Sequence, residues 1–194
     1  MIKKHIFPQG EGHFFLLLKP FFIILFFLFP MGNVFGAALE SSPQKAVRLG
    51  SSGLPLPRFV SIKSVRMNAR VGPGRNYPVS WLYERRGLPV EIVQEYENWR
   101  KIRDSKGEGG WVYQSLLSGK RTVMVAPWRE RRTDTAILRK DPYETSNFVS
   151  LVEPGTIANV LRCTGEWCYL DFKEAQGWLK QDQLWGVYPG EVID

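Results

Sequence analysis

From Val60 onward, apolar and polar residues alternate in short runs broken by Gly, Pro and Asn. Val90-Glu91-Ile92-Val93, Trp99-Arg100-Lys101-Ile102-Arg103 and Gly110-Trp111-Val112 are examples. Successive side chains on a strand point to opposite faces, so this period marks strands with one face buried. No window after residue 60 carries the spacing of a long amphipathic helix. Many short strands with closely spaced turn signals predict a small barrel or sandwich. Residues 39–58 (LESSPQKAVRLGSSGLPLPR) follow neither period and are rich in Ser, Gly and Pro, which predicts a flexible linker. Its end, Leu54-Pro55-Leu56-Pro57-Arg58, reads either as a polyproline II ligand for a groove or as a stiff exit from the linker.

The strand pattern occurs twice. Arg70-Val71-Gly72-Pro73 matches Arg139-Lys140-Asp141-Pro142, and Leu82 and Glu84 match Leu151 and Glu153, at an offset of 69. Gly87, Ile92, Trp99 and Ile102 match Gly155, Val160, Trp167 and Leu170 at 68. Gly110-Trp111-Val112 and Gln114 match Gly177-Trp178-Leu179 and Gln181 at 67. An offset that drifts one residue at a time is what single deletions in loops would leave. Two copies of one unit of about 60 residues follow. A unit that small is marginal alone, so aromatic anchors and tandem packing are expected.

The stretch from Met67 to Thr122 resembles the bacterial SH3-like domain (SH3b), and more narrowly its exported tandem variety in alphaproteobacteria. The resemblance rests on Asn68-Ala69-Arg70 with Gly72-Pro73-Gly74, on Gly87-Leu88-Pro89-Val90, on Asn98-Trp99-Arg100, on Gly110-Trp111-Val112 and on Leu116-Leu117-Ser118-Gly119. It covers 60–188 and is weaker in the second copy, which lacks the Gly-Pro-Gly. It implies an all-β chain of two tandem small SH3-like barrels after an N-terminal signal peptide and flexible linker. The expected divisions are a signal peptide at 1–38, the linker at 39–58, barrels at 59–119 and 120–188, and a C-terminal tail at 189–194. The segment Arg121-Thr122-Val123-Met124-Val125 reads as a strand, so the junction between copies is expected to be packed.

Cys163 and Cys168 are the only cysteines. If Gly165-Glu166 form a two-residue turn, glycine takes the first central position, as a type II′ hairpin requires. Thr164 then faces Trp167, and the cysteines face each other in a non-hydrogen-bonded pair with Cα atoms about 4.5 Å apart. That separation suits a disulfide. Two thiols without His offer too few ligands for zinc, and Cys-x-x-Cys is absent. In the first copy Glu95 and Arg100 hold the same two positions, so a cross-strand ion pair replaces the covalent one.

The start of the chain changes the picture of where this fold works. Lys3 and Lys4 precede an unbroken apolar run from Phe21 to Phe29, and Gly36-Ala37-Ala38 follow. A basic start, short apolar core and small-residue exit form a secretory signal peptide. Nine apolar residues fall short of the about 20 that span a bilayer; an uncleaved anchor counted from Phe14 is the competing reading. Export implies a periplasmic or secreted protein in an oxidising compartment. The net charge of +7 becomes +5 once Lys3, Lys4, Lys19 and Glu11 are removed. Both histidines, His5 and His13, leave with the segment, which removes the imidazole base of Ser-His-Asp or Cys-His catalysis.

These observations predict a non-catalytic exported binding module without cofactor or metal. Its partner is a cell-wall peptide or glycan, or else a periplasmic protein. Basic residues interspersed with acids, together with export, argue against nucleic acid. The family resemblance implies an aromatic groove between irregular loops, for which Tyr77, Trp81 and Tyr113 are the candidates. Trp99 and Trp111 read first as core anchors, with ligand contact as the competing reading. Their counterparts to the three candidates in the second copy are Ser146, Ser150 and Lys180, so the first copy is the expected recognition unit. Arg85-Arg86 and Arg129-Glu130-Arg131-Arg132 are basic runs that could meet anionic wall material or simply be solvated. Protein recovered from an envelope fraction is expected to have an intact mass starting near Ala37 or Leu39; a mass that retains 1–36 would mark an anchor.

Overall fold

The computed structural model describes residues 48–194; the predicted signal segment and the start of the linker lie outside them. A short hairpin comes first, β1 (Arg48–Leu49) and β2 (Pro55–Leu56). The first barrel follows: β3 (Arg58–Ile62), β4 (Met67–Arg70), β5 (Val79–Tyr83), β6 (Pro89–Tyr96), β7 (Trp99–Arg103), β8 (Gly109–Tyr113) and β9 (Leu117–Ser118). The second contains β10 (Thr122–Val125), β11 (Ala136–Arg139), β12 (Phe148–Val152), β13 (Ile157–Thr164), β14 (Trp167–Asp171), β15 (Gln176–Lys180), β16 (Leu184–Trp185) and β17 (Val192–Ile193). Among the described residues the only helices are two single 3₁₀ turns, Gln114–Leu116 and Gln181–Gln183, and no helix is long and apolar enough to cross a membrane.

Strand order is β5-β4-β8-β7-β6-β3-β9 in one sheet and β12-β11-β15-β14-β13-β10-β16 in the other. The two orders are identical strand for strand, as the repeat predicts. Register shifts also recur at matching points: between Ala69 and Arg70 as between Leu138 and Arg139, and between Ile92 and Gln94 as between Val160 and Arg162. A bulge bends its strand and re-aims a side chain, so both copies aim the same positions alike.

Each barrel has its own core. Ile62, Met67, Ala69, Val90, Ile92, Ile102 and Val112 fill the first. Val123, Val125, Leu138, Leu170, Leu179 and the two cysteines fill the second. Cys163 pairs with Cys168 in the ladder, is bonded to it, and lies 4.1 Å from it between Cα atoms. Gly165 has φ +98°, the backbone region the predicted turn demands. Trp111, read as a core anchor, is buried but sits on the sheet face opposite Val112, outside the core cluster.

The matching pair in the first copy becomes the centre of a larger assembly. Glu95 pairs with Arg100 in the ladder, its Oε1 3.1 Å from Arg100 Nε and 2.6 Å from Arg58 Nη2. Ser52 donates to the same carboxylate from its backbone N–H and its hydroxyl, both at 2.8 Å, and the Ser51 hydroxyl adds a bond at 3.2 Å. The Glu95 side chain is 0% exposed. Gly50 makes the approach possible, because a Cβ there would stand 2.3 Å from Glu95 Oε2. Residues 48–58 therefore do not behave as the expected flexible linker. They fold over the barrel end because a buried carboxylate needs donors, and Leu56 joins the core. Nor is Leu54–Arg58 a free polyproline ligand. At the other end of the chain, part of the expected tail is also strand: β17 pairs with β13 at Cys163 and Thr164, and Gln181 Nε2 donates to Glu191 O at 2.6 Å.

The two barrels pack through β3 and the stretch after β15. Phe59 lies 5.1 Å from Trp185 and 4.7 Å from Tyr188 between ring centroids. Trp185 Nε1 donates to Pro89 O at 3.2 Å, Tyr188 donates to Glu91 Oε1 at 2.8 Å, and Thr122 Oγ1 donates to Gly87 O at 2.8 Å. Burial and the Glu91 hydrogen bond raise the Tyr188 phenol far above its ordinary value. Arg103 also pairs with Glu91. The expected packed junction is present, with Thr122–Val125 serving as a strand of the second barrel.

Glu95→Ala is expected to cost about 3 kcal/mol in chemical denaturation, since it leaves two nearly buried guanidiniums unpaired. Burial alone would raise the Glu95 pKa, but the Ser52 and Arg58 hydrogen bonds outweigh it and hold the carboxyl at about 2, against 4.5 normally. A depressed carboxylate contributes its stability above the unfolded value and loses it as the folded group protonates. Acid destabilisation between pH 4.5 and 2 is therefore expected to be shallower in Glu95→Gln than in the wild type.

Opening the Cys163–Cys168 bond is expected to lower stability by about 2 kcal/mol. The aromatic contact between barrels should keep unfolding to one transition; two separate transitions in guanidinium would show that the barrels are not coupled.

Candidate functional site

The three aromatic candidates do not form one platform. Tyr113 ends β8 and meets Trp99 of β7 edge-on, with centroids 5.6 Å apart. Trp81 lies in β5 across from Ala69, 6.4 Å from the Tyr83 ring, and is 40% exposed. Tyr77 is 47% exposed but folds over its own loop: a Cβ on Gly72 would meet its ring at 2.5 Å. The Gly72-Pro73-Gly74 stretch thus has a packing reason, and the second copy, without it, uses Ser146 instead. There the Asp141 N–H donates to Ser146 Oγ at 2.8 Å, and that hydroxyl donates to Asp141 Oδ2 at 3.1 Å.

Tyr113 and Trp99 border an open cavity of about 360 Å³ that neither Tyr77 nor Trp81 lines. Its other walls include Arg66, Asn68, Arg70 and Arg75, and none of the lining residues is acidic. Arg70 is fixed by donating from Nη1 to Tyr77 O at 2.7 Å. The exposed Arg75 sits on the loop between β4 and β5. A rigid ring pair beside guanidinium groups can stack on a flat or apolar body and hold an anionic one. Reading Trp99 as a core anchor misses this role, because it is only half-buried and belongs to the cavity wall.

The second barrel has the counterpart, a cavity of about 160 Å³ lined by Arg139, Glu144, Trp167 and Lys180 among others. Arg139 Nη1 donates to Ser146 O at 3.0 Å, the same bond that Arg70 makes to Tyr77. That shared bond fixes the loop correspondence, so Glu144 stands where Arg75 stands. Lys180 occupies the Tyr113 position, 5.5 Å from the Trp167 ring centroid.

A third cavity, about 510 Å³, opens between the barrels. Lys63, Arg85, Arg86, Lys120 and Lys173 line it together with Asp171. Arg85 of the basic pair is used structurally, donating to Gly155 O at 3.0 Å. In the Arg129–Arg132 run, Arg129 Nη1 donates to Asp134 O at 3.0 Å and the exposed Arg132 pairs with Glu153 at 2.5 Å. Among the described residues no cluster of His, Cys, Asp and Glu has the arrangement to hold a metal.

A family model described as bacterial SH3 domain matches residues 63–119 and again 132–186, together more than half of the chain. The chain belongs to the bacterial SH3 domain family. The matches fall on the two barrels and cover both copies of the cavity. SH3 domains of this family are bacterial binding modules. Among solved structures, the chain is similar to NlpC2 from Trichomonas vaginalis at 12% identity and a TM-score of 0.30, covering 66% of this chain and 48% of that one. It is similar to NlpC1 from the same organism at 13% identity and a TM-score of 0.29, covering 70% and 48%. The chain thus spans about half the length of these structures. A search of curated proteins finds no match.

Proposed function

We propose that this tandem SH3 protein is a non-catalytic exported module that binds a cell-envelope component, most specifically a peptidoglycan peptide, through the first domain. The observation that carries the reading is the open cavity beside Trp99 and Tyr113, walled by Arg70 and Arg75. It offers an aromatic edge with few rotors to immobilise and guanidinium donors for polar groups of a short peptide. The signal-like N-terminal pattern supports placement at the wall, and the positive charge supports attraction to anionic envelope polymers. Trp81 and Tyr77 lie outside that cavity.

Purified sacculi are expected to retain the wild-type protein. Tyr113→Ala with Arg75→Ala should weaken retention by about tenfold or more, a loss of about 1.4 kcal/mol, with the circular dichroism spectrum unchanged. Trp81→Ala should bind as the wild type does. Failure of the wild type to bind sacculi would overturn the reading and favour a periplasmic protein as partner.

A further inference from the structure

The two SH3 domains differ at their matching cavities in a way that identifies the ligand chemistry. In the second domain Glu144 lines the cavity from its loop. Its Oε1 lies 2.5 Å from Lys180 Nζ and its Oε2 lies 3.7 Å from Arg139 Nη2. Lys180 in turn lies over Trp167, which is only 5% exposed. The Lys180 hydrogen bond holds the Glu144 carboxyl below its ordinary range. A carboxylate of the chain itself therefore lines this cavity beside an arginine, a second hydrogen-bond donor and a tryptophan.

The first domain keeps the frame and lacks the carboxylate. Arg70 replaces Arg139, Trp99 replaces Trp167, and the Tyr113 hydroxyl stands in place of the Lys180 ammonium. The residue matching Glu144 is Arg75, so the loop brings a further cation where the other copy brings the anion. The cavity is correspondingly larger, about 360 against 160 Å³, and its lining has no Asp or Glu. Three guanidiniums, of Arg66, Arg70 and Arg75, around a cavity with no acidic lining residue match a carboxylate, which accepts paired N–H donors.

We infer that the first domain's cavity is a carboxylate-recognition site, taking the free C-terminal carboxylate of a short peptide between Arg70 and Arg75 beside Trp99, and that the second domain's cavity is the same site held closed by Glu144. This rests on the binding reading above and adds which group is recognised and why one domain alone is open. The Glu144 bridge is an exposed one, 63% at the glutamate, and exposed pairs stabilise by little. Its removal should therefore open the second cavity without unfolding the barrel.

The test uses the full exported chain and follows the indole N–H signals of Trp99 and Trp167 by NMR during titration with acetyl-Ala-Ala, its C-terminal amide, and N-acetylmuramic acid. The acid dipeptide should shift Trp99 and leave Trp167 unmoved, and the amide should bind at least about tenfold more weakly. Arg75→Glu should abolish the Trp99 response. Glu144→Gln and Glu144→Ala should each make Trp167 responsive as well, raising the stoichiometry from one site to two. A response to N-acetylmuramic acid alone would keep the carboxylate chemistry and move its source to the sugar. Equal response to acid and amide, a Trp99 response that survives Arg75→Glu, or a silent Trp167 in a folded Glu144 variant would overturn the inference. Sacculus binding with equal acid and amide responses would leave the wall reading standing while this one fails. Carboxylate-specific shifts without sacculus binding would do the reverse.

Discussion

Glu95 is a fully enclosed carboxylate at the end of the β6–β7 hairpin, and the first barrel is organised around satisfying it. Burying an anion is tolerable only with charge partners and hydrogen-bond donors around it. Arg58, Arg100, Ser51 and Ser52 supply them. Arg58 opens β3, the strand that also carries Phe59 to the other barrel. Ser51 and Ser52 bring the N-terminal hairpin down over the barrel end. One side chain thus sets the hairpin register, closes the barrel end and orders the segment that precedes it. The second barrel answers the same need with a bond between Cys163 and Cys168 and covers that end with its own C-terminal strand.

Duplication explains how one frame can be both supported and free to change. Strand order and bulges are conserved between the copies down to the Arg70 and Arg139 bonds to their loops. The variable positions are 95 and 100 against 163 and 168, 75 against 144, and 113 against 180. In the second copy these positions supply a disulfide and an internal ion pair, in the first a buried salt bridge and an open cavity. Packing through Phe59, Trp185 and Tyr188 makes a single unit of them, so each barrel contributes stability to the other.

The candidate site was legible only in part. Tyr113 came from the groove the family resemblance implies and the asymmetry between copies from the offsets, and the Arg75–Glu144 charge reversal is present in the same alignment. Tyr77 and Trp81 could not be separated from Tyr113 by pattern, because exposure-prone aromatics on neighbouring elements look alike until the loop path is known. The Tyr77 ring is committed to Gly72 by a contact within its own loop, which no spacing rule describes. Pattern alone left Trp99 between core anchor and ligand contact, and folding puts it in the cavity wall.

The sequence by itself determined the strand pattern, the duplication, the Gly165 hairpin and the facing cysteines, because all follow from short-range periodicity and from turn chemistry within a few residues. Only the tertiary structure decided the fate of residues 48–58 and 189–194. Ser, Gly and Pro have no period to read, and their order comes from distant groups: the Glu95 carboxylate for the first segment, β13 and Gln181 for the second. Tertiary structure also decided why Phe59-Val60-Ser61-Ile62 is buried throughout. One face of β3 lies in the core and the other meets the second barrel, so the alternation that marks a half-buried strand has no reason to appear there. The same holds for the two cavities. Their outlines were implicit in the repeat, but only folding places the Glu144 carboxylate on Lys180 and leaves Arg75 facing a cavity without a carboxylate of its own.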